Sequence, residues 1–261
     1  VSGAGWAEAL FRRSVLKQRK LAEIQAGLGP TEGRRCLDLG SDNGVISLLL
    51  RRRGGRWASA DLTVEAVESI RSLVHDDVHL LYGERLPFAD AEFDAVAVVD
   101  MLEHVADEGA FAAELFRVLK PGGRLVVNTP HLKDSVLRRL RHRLGLTDLD
   151  HGHLRPGYAE EGARALLETA GFRVESARTY SRFFSEAVDT AINLAVARLG
   201  KKGSAKGRVV TADDVGRHRR LFAAYSLVYP AVWAVSRLDA LVPSSGYMLL
   251  LSASRPGADA T

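Results

Sequence analysis

The sequence predicts an α/β protein in which a parallel sheet is covered by helices on both faces. Three observations predict it. Short apolar runs of strand length alternate with longer helical patterns from residue 35 to about residue 177. A Gly-containing turn, Gly40-Ser41-Asp42-Asn43-Gly44, joins the first such run to the helix after it. Asp38, Asp61, Tyr82, Asp100 and Asn128 stand at the C-terminal ends of successive runs, the edge where sheets of this kind bind ligands.

In order, residues 6–28 read as one basic amphipathic helix stopped by Gly27-Leu28-Gly29-Pro30. Strand one is about 35–39, with a helix from about 44 to 53. Strand two, 56–60, ends at Asp61, and a helix follows at about 63–74. Strands three and four fall near 78–82 and 93–99. A helix over about 107–119 stops at Lys120-Pro121-Gly122-Gly123, a cluster of breakers, before strand five at 124–128. A basic stretch, 132–156, then interrupts the alternation. A helix at about 158–170, Gly171 and strand six at 172–177 follow. Residues 183–242 read as a helical insertion with a polar hinge from Gly200 to Lys206, and the last strand is 247–253. The expected division is an N-terminal helical segment (1–34), a core (35–182 and 243–255) and the insertion (183–242).

Bulk properties narrow the classes. The 261 residues are 46% hydrophobic and 26% charged, enough for a full core and unlike a disordered chain. The net charge of +4 gathers in clusters such as Arg138, Arg139, Arg141 and Arg143, and Lys201, Lys202, Lys206 and Arg208. Solvated helix faces are the plain reading of each cluster, and nucleic acid or anionic lipid the sharper one. The single cysteine, Cys36, excludes an internal disulfide and a cysteine zinc site and fits a reducing, cytoplasmic setting. No secretory segment is visible, and no uncharged run reaches the roughly 18 residues that span a bilayer.

The turn after strand one restricts its own ligand. In the register of a dinucleotide fingerprint it offers Gly40, Asp42 and Val45, so Asp42 sets a carboxylate where a pyrophosphate would sit. No Gly-Lys-Ser/Thr follows to form a phosphate loop. A ligand without a diphosphate and with local positive charge fits better. Asp61, 21 residues beyond Gly40, is placed to accept from ribose hydroxyls. Adenosine with a cationic tail meets both conditions, and S-adenosyl-L-methionine is such a molecule.

At this point the sequence resembles the class I S-adenosylmethionine-dependent methyltransferases. The matching segments are Leu-Asp-Leu-Gly-Ser-Asp-Asn-Gly (37–44), Ala-Asp-Leu (60–62), Leu-Pro-Phe-Ala-Asp-Ala-Glu-Phe-Asp-Ala-Val (86–96), Met-Leu-Glu-His-Val (101–105) and Arg-Val-Leu-Lys-Pro-Gly-Gly (117–123). The resemblance implies a Rossmann-like seven-stranded sheet, mostly parallel with an antiparallel last strand. It implies that Asp38, Gly40, Asp42 and Gly44 form the methionine side of a cofactor site, that Asp61 holds the ribose and Leu62 packs on the adenine, and that Asp100 lies near the transferring methyl. Relatives usually carry Gly at the position of Asp42 and often Asp at that of Tyr82. Glu84 or a main-chain carbonyl is the substitute acceptor for the adenine amino group.

For the chemistry, a base that removes an acceptor proton is wanted beside the methyl group. His104 is the first candidate, with Asp100 and Glu103 next to it. Their spacing resembles the quinone-pathway O-methyltransferases, some of which hold a divalent metal on a similar set. A loop brace is the plainer role, and no metal ligands are assigned. His131, His151, His153 and Arg155 form a second set on a substrate-facing loop, with Tyr158 behind them. His131 and His153 join His104 as catalytic candidates.

In the insertion, Tyr225, Tyr229 and Trp233 follow Arg217, Arg219 and Arg220. That pattern suits peripheral contact with the inner membrane face through 183–242, a buried lid, or a dimer surface. The leading expectation is methyl transfer to oxygen on a small-molecule or lipid-like acceptor. The rivals are an RNA methyltransferase, disfavoured by the lack of a basic platform interleaved with aromatics, and a cofactor-binding module without turnover. Oligomeric state is left open.

Overall fold

The computed structural model describes residues 4–144, 153–199, 216 and 219–257. His151, the whole polar hinge from Gly200 to Lys206, and Arg217 lie outside the described residues. Helices α1 (Gly5–Phe11) and α2 (Val15–Leu28) lead into β1 (Arg35–Leu39), α3 (Val45–Arg51), β2 (Arg56–Asp61), α4 (Val64–Val74), β3 (Val78–Leu80) and β4 (Phe93–Val99). A single 3-10 turn (Leu102–His104), α5 (Glu108–Val118), β5 (Leu119–Pro130), α6 (Val136–Arg143), α7 (Glu160–Thr169) and β6 (Arg173–Tyr180) follow. Two long helices, α8 (Phe183–Leu199) and α9 (Arg219–Arg237), precede a 3-10 turn (Leu238–Leu241) and the closing strand β7 (Met248–Ser254).

The seven strands form one sheet in the order β3-β2-β1-β4-β5-β7-β6. β1 to β5 pair in parallel, and β7 inserts antiparallel between β5 and β6. Strand order reverses between β1 and β4, which opens a crevice at their C-terminal ends, the usual ligand position in such sheets. The expected seven-stranded, mostly parallel Rossmann-like sheet is the one observed.

Alternation along the buried strands divides the core between two faces. Leu37, Leu39, Val96 and Val98 pack with Phe111 and Leu115 of α5 on one side. Cys36, Ala95, Ala97 and Val99 pack with Ile24 of α2 and Leu50 of α3 on the other. β4 is buried almost throughout, which explains its unbroken apolar sequence. Each large side chain buried as fully as Phe111 contributes about 1.5–3 kcal/mol.

Three local features depart from the expected elements. The N-terminal helix is two helices, because Ser14 adopts an extended conformation and its Oγ accepts from the Lys17 amide at 3.2 Å, capping α2. The Lys120–Gly123 stretch lies inside β5. Gly122 takes φ +76° and its amide donates to the Arg255 carbonyl at 2.8 Å, so the chain beyond β7 pairs with the breakers. β6 runs three residues beyond its expected end, to Tyr180, because β7 pairs with it as far as Met248.

Candidate functional site

The turn after β1 is shaped by contacts that exclude side chains. Gly40 has φ +80°, and a Cβ there would lie 2.4 Å from the Val99 carbonyl oxygen and 2.8 Å from Met101 Cβ. Gly44 has φ +78°, and its Cβ would fall 2.7 Å from Ile70 Cα. The turn main chain is thus pressed between the end of β4 and α4, leaving its amides near the crevice.

Asp38, expected on the methionine side, turns inward instead. Its carboxylate has no solvent exposure and accepts from Ser41 Oγ (2.7 Å), Ser47 Oγ (2.5 Å), Ser59 Oγ (2.7 Å) and Arg51 (3.3 Å). Asp38 shares a strand face with Cys36, which points it at α3, where Ser47 and Arg51 lie. It ties β1, the turn, α3 and β2 together, and its effect on a ligand is through the turn it holds.

Asp61 closes β2 at the crevice. Its carboxylate accepts the Leu62 amide at 2.8 Å and amide hydrogens from Thr63 and Asp42. Burial pushes its pKa up to about 6 against those amides, and the nearby Asp42 charge raises it further. Asp42 itself is exposed, sits at φ +50° and forms an ion pair with Lys17 of α2 at 3.7 Å. Leu62 packs at the edge of the larger core cluster.

Asp100 lies across the crevice at the end of β4, at φ +45°. Asn128 Nδ2 donates to its Oδ1 at 2.6 Å, and Tyr180 donates to Asn128 Oδ1 at 2.5 Å. Lys20, one helical turn after Lys17, forms an ion pair with the other Asp100 oxygen and is itself buried. The result is a continuous polar chain from Tyr180 to Lys20 along the strand ends.

Beyond Asp100, the 3-10 turn brings Glu103, His104 and His153 together. One ligand atom from each lies within 4.8 Å of the others, and the two imidazoles meet edge to face with centroids 4.6 Å apart. Glu103 is fully buried. Thr129 Oγ1 donates to its Oε2 at 3.1 Å, and Oε1 has no hydrogen-bond partner among the described residues. Burial first, then the charge of Asp100, holds the Glu103 carboxyl well above the usual carboxylate range. A carboxylate with two imidazoles is a donor set that can pass a proton or hold a transition metal.

Other expected residues are placed elsewhere. His131 is absent from this cluster, and its Nδ1 bonds the Gly246 carbonyl at 2.9 Å. Glu84 accepts the Asp107 amide at 3.2 Å, at the start of α5, so it is engaged in capping rather than left open for an adenine amino group. Tyr82 is 81% exposed. Arg155 donates to the Leu102 and Val105 carbonyls at 2.9 and 2.7 Å, and Tyr158 donates to Glu108 at 2.5 Å; both brace the turn that carries His104. Asn128 stands at the ligand edge as expected, whereas Lys17 and Lys20, which reach Asp42 and Asp100, are not singled out by the sequence.

Comparison with known proteins is consistent with this geometry. Residues 37–127 match the methyltransferase domain family. A Mycolicibacterium smegmatis protein named a probable S-adenosylmethionine-dependent methyltransferase is 33% identical over 168 residues, covering 63% of this chain and 60% of the relative. The ubiquinone biosynthesis O-methyltransferase of Xylella fastidiosa is 37% identical over 106 residues, covering 38% of this chain and 43% of the relative. The chain thus spans roughly half the length of these curated relatives. The crystal structure of the [4+2]-cyclase SpnF superposes with a TM-score of 0.64 at 21% identity, over 93% of this chain and 82% of that one, and shares the fold.

Proposed function

We propose that the chain is a class I S-adenosylmethionine-dependent methyltransferase and that it methylates an oxygen of a small, lipid-like acceptor of the quinone-precursor kind. The observation that carries the reading is the crevice between Asp61 and Asp100, with Gly40 at its floor and the Glu103–His104–His153 group at its far end. The acceptor class rests on the similarity to a quinone-pathway O-methyltransferase.

The residues present suit the cofactor. Gly40 lets the turn lie against the end of β4, where a Cβ would meet the Val99 carbonyl, and Asp61 is the acid at the end of β2 that accepts from ribose hydroxyls. Lys17, Asp42, Lys20 and Asp100 set charges of alternating sign along the neighbouring edge, a pattern complementary to an amino-acid zwitterion. S-adenosylmethionine supplies an electrophilic methyl group on sulfur when bound. Everything else falls to the protein. The turn and the strand ends orient the two reactants, and such alignment can supply about 7–11 kcal/mol of the barrier. His104 takes the proton of the acceptor hydroxyl, with His153 and Glu103 holding its ring in place.

Transfer of labelled methyl from the cofactor into hydroxylated polyprenyl phenols tests the proposal. Label in the lipid extract that disappears with His104→Ala supports it. Folded protein that binds no S-adenosylhomocysteine in titration calorimetry overturns it, and label in RNA would move the acceptor to nucleic acid.

A further inference from the structure

The outer face of α9 is apolar where a surface helix is ordinarily polar. On a period of 3.6 residues, Leu227, Val228 and Val235 form one stripe with Ala224, Ala231 and Ala234 between them, and Leu238 and Leu241 of the following 3-10 turn extend the exposed apolar surface. Leu227 is 84% exposed, Leu241 77% and Val228 53%. The polar groups of the helix point the other way. Tyr225 donates to the Arg13 carbonyl at 3.0 Å, Gln18 of α2 donates to Tyr229 at 2.7 Å, and Arg19 reaches the Ser236 carbonyl at 2.6 Å. The helix is therefore amphipathic with its polar side fixed against the protein.

The ends of the stripe are positively charged. Arg219 and Arg220 open the helix and Arg237 closes it, with no charged side chain between them. Asp239 is the single carboxylate from 219 to 241, and it is buried and paired with Arg19 at 2.5 Å. Trp233 lies on the flank, 44% exposed, with the Arg237 guanidinium over its ring at 4.5 Å. An amphipathic aromatic beside a cation at the rim of an apolar stripe is the arrangement of an interfacial anchor.

We propose that α9 lies flat in the interfacial layer of an anionic lipid bilayer. The helix is not built to cross it, because no helix among the described residues is long and apolar enough to span a membrane. Charge decides between a bilayer and a second copy of the chain. Two α9 stripes packed together, parallel or antiparallel, bring arginine ends against arginine ends with no carboxylate on the helix itself to neutralise them. Anionic headgroups supply that neutralisation at both ends, and acyl chains cover the stripe. α2 connects this surface to the crevice: Gln18 and Arg19 hold α9 while Lys17 and Lys20 meet Asp42 and Asp100.

The test is co-sedimentation of the full chain with phosphatidylcholine vesicles, with and without phosphatidylglycerol. The expected result is binding to anionic vesicles that weakens with added salt, and that falls at least about tenfold in a Leu227→Glu/Trp233→Glu variant. A blue shift of tryptophan emission on binding should vanish in Trp233→Phe, which keeps the apolar ring. Circular dichroism and a melting curve establish that the double variant, altered only at exposed positions, stays folded. Absence of binding to anionic vesicles overturns the proposal, as does binding that the double variant retains. A wild-type dimer in light scattering that the same variant dissociates would also overturn it and assign the stripe to a second copy. Methyl transfer is not the readout, so failure here leaves the enzymatic reading standing.

Discussion

Lys20 of α2 and Asp100 at the end of β4 form an ion pair across the edge of the crevice, with Lys20 buried and Asp100 also held by Asn128. The pair joins the N-terminal helix to the strand that carries the proposed methyl-side acid. Lys20→Met should leave Asp100 with a charge only Asn128 compensates, at a cost of about 1–3 kcal/mol in urea unfolding. The Lys20→Met/Asp100→Asn double variant should recover part of that loss, because neither charge is then left alone. Strictly additive losses would show that the two groups act independently.

Asp61 gives the site a pH dependence whose sign is fixed. Its pKa in the fold, about 6, lies above the usual carboxylate value of about 4, so the ligand-free fold favours the protonated acid. That contribution to stability is complete below about pH 4 and is lost as pH rises through about 6, roughly 2–3 kcal/mol in all. Ribose hydroxyls donate to the ionised acid, so S-adenosylhomocysteine should bind more tightly as pH rises from 5 to 7. Asp61→Asn should bind weakly at every pH, with the slope removed, and should melt above wild type at pH 7. Calorimetric titration across that range checks both.

Gly40 and Gly83 separate steric demand from backbone conformation. Both have positive φ, +80° and +69°, so alanine at either incurs about 1–2 kcal/mol of left-handed strain. Only Gly40 has a neighbour in the way: the Val99 carbonyl would lie 2.4 Å from the new Cβ, whereas Gly83 has nothing within 4 Å. Gly40→Ala should therefore lower the melting temperature well beyond Gly83→Ala and abolish cofactor binding, which Gly83→Ala should retain. Equal melting losses would place the constraint in φ alone.

Much of this was legible in one dimension. β4 reads as a buried strand because Ala95 to Val99 is apolar without a break, and the β1 turn reads as a ligand turn because Gly40 and Gly44 bracket it. What one dimension does not reveal are the partners that lie far away in sequence. Asp38 looked like a ligand group, yet Ser47, Arg51 and Ser59 saturate it from two other elements. Lys20 looked like one more charge on a basic helix, because nothing local announces Asp100 eighty residues later. Glu84, or a main-chain carbonyl, is the acceptor expected for the adenine amino group, and the fold also brings the Asp107 amide to Glu84, from the start of α5. A buried lid was one reading of the aromatic helix; the tyrosines do face the protein, and the aliphatic stripe faces out.

The Glu103–His104–His153 group allows the base and metal chemistries to be told apart. Glu103 is fully buried, with its carboxyl held well above the carboxylate range by burial and by Asp100, so near neutral pH it carries its proton. Glutamine mimics that neutral acid. Glu103→Gln should therefore keep most of the methyl-transfer rate near pH 7 and remove the change that wild type shows as pH rises through the Glu103 titration. The same raised pKa predicts that wild-type stability is complete at acid pH and declines as Glu103 ionises, while Glu103→Gln lacks that decline. His104→Ala should lower the rate by about 10²–10⁴-fold, the usual worth of a positioned base, and leave S-adenosylhomocysteine affinity unchanged. Exhaustive chelation should leave the wild-type rate intact. A rate lost both to chelation and to Glu103→Gln would assign the cluster to a metal held by the carboxylate, because glutamine cannot supply the anionic oxygen that such a site needs.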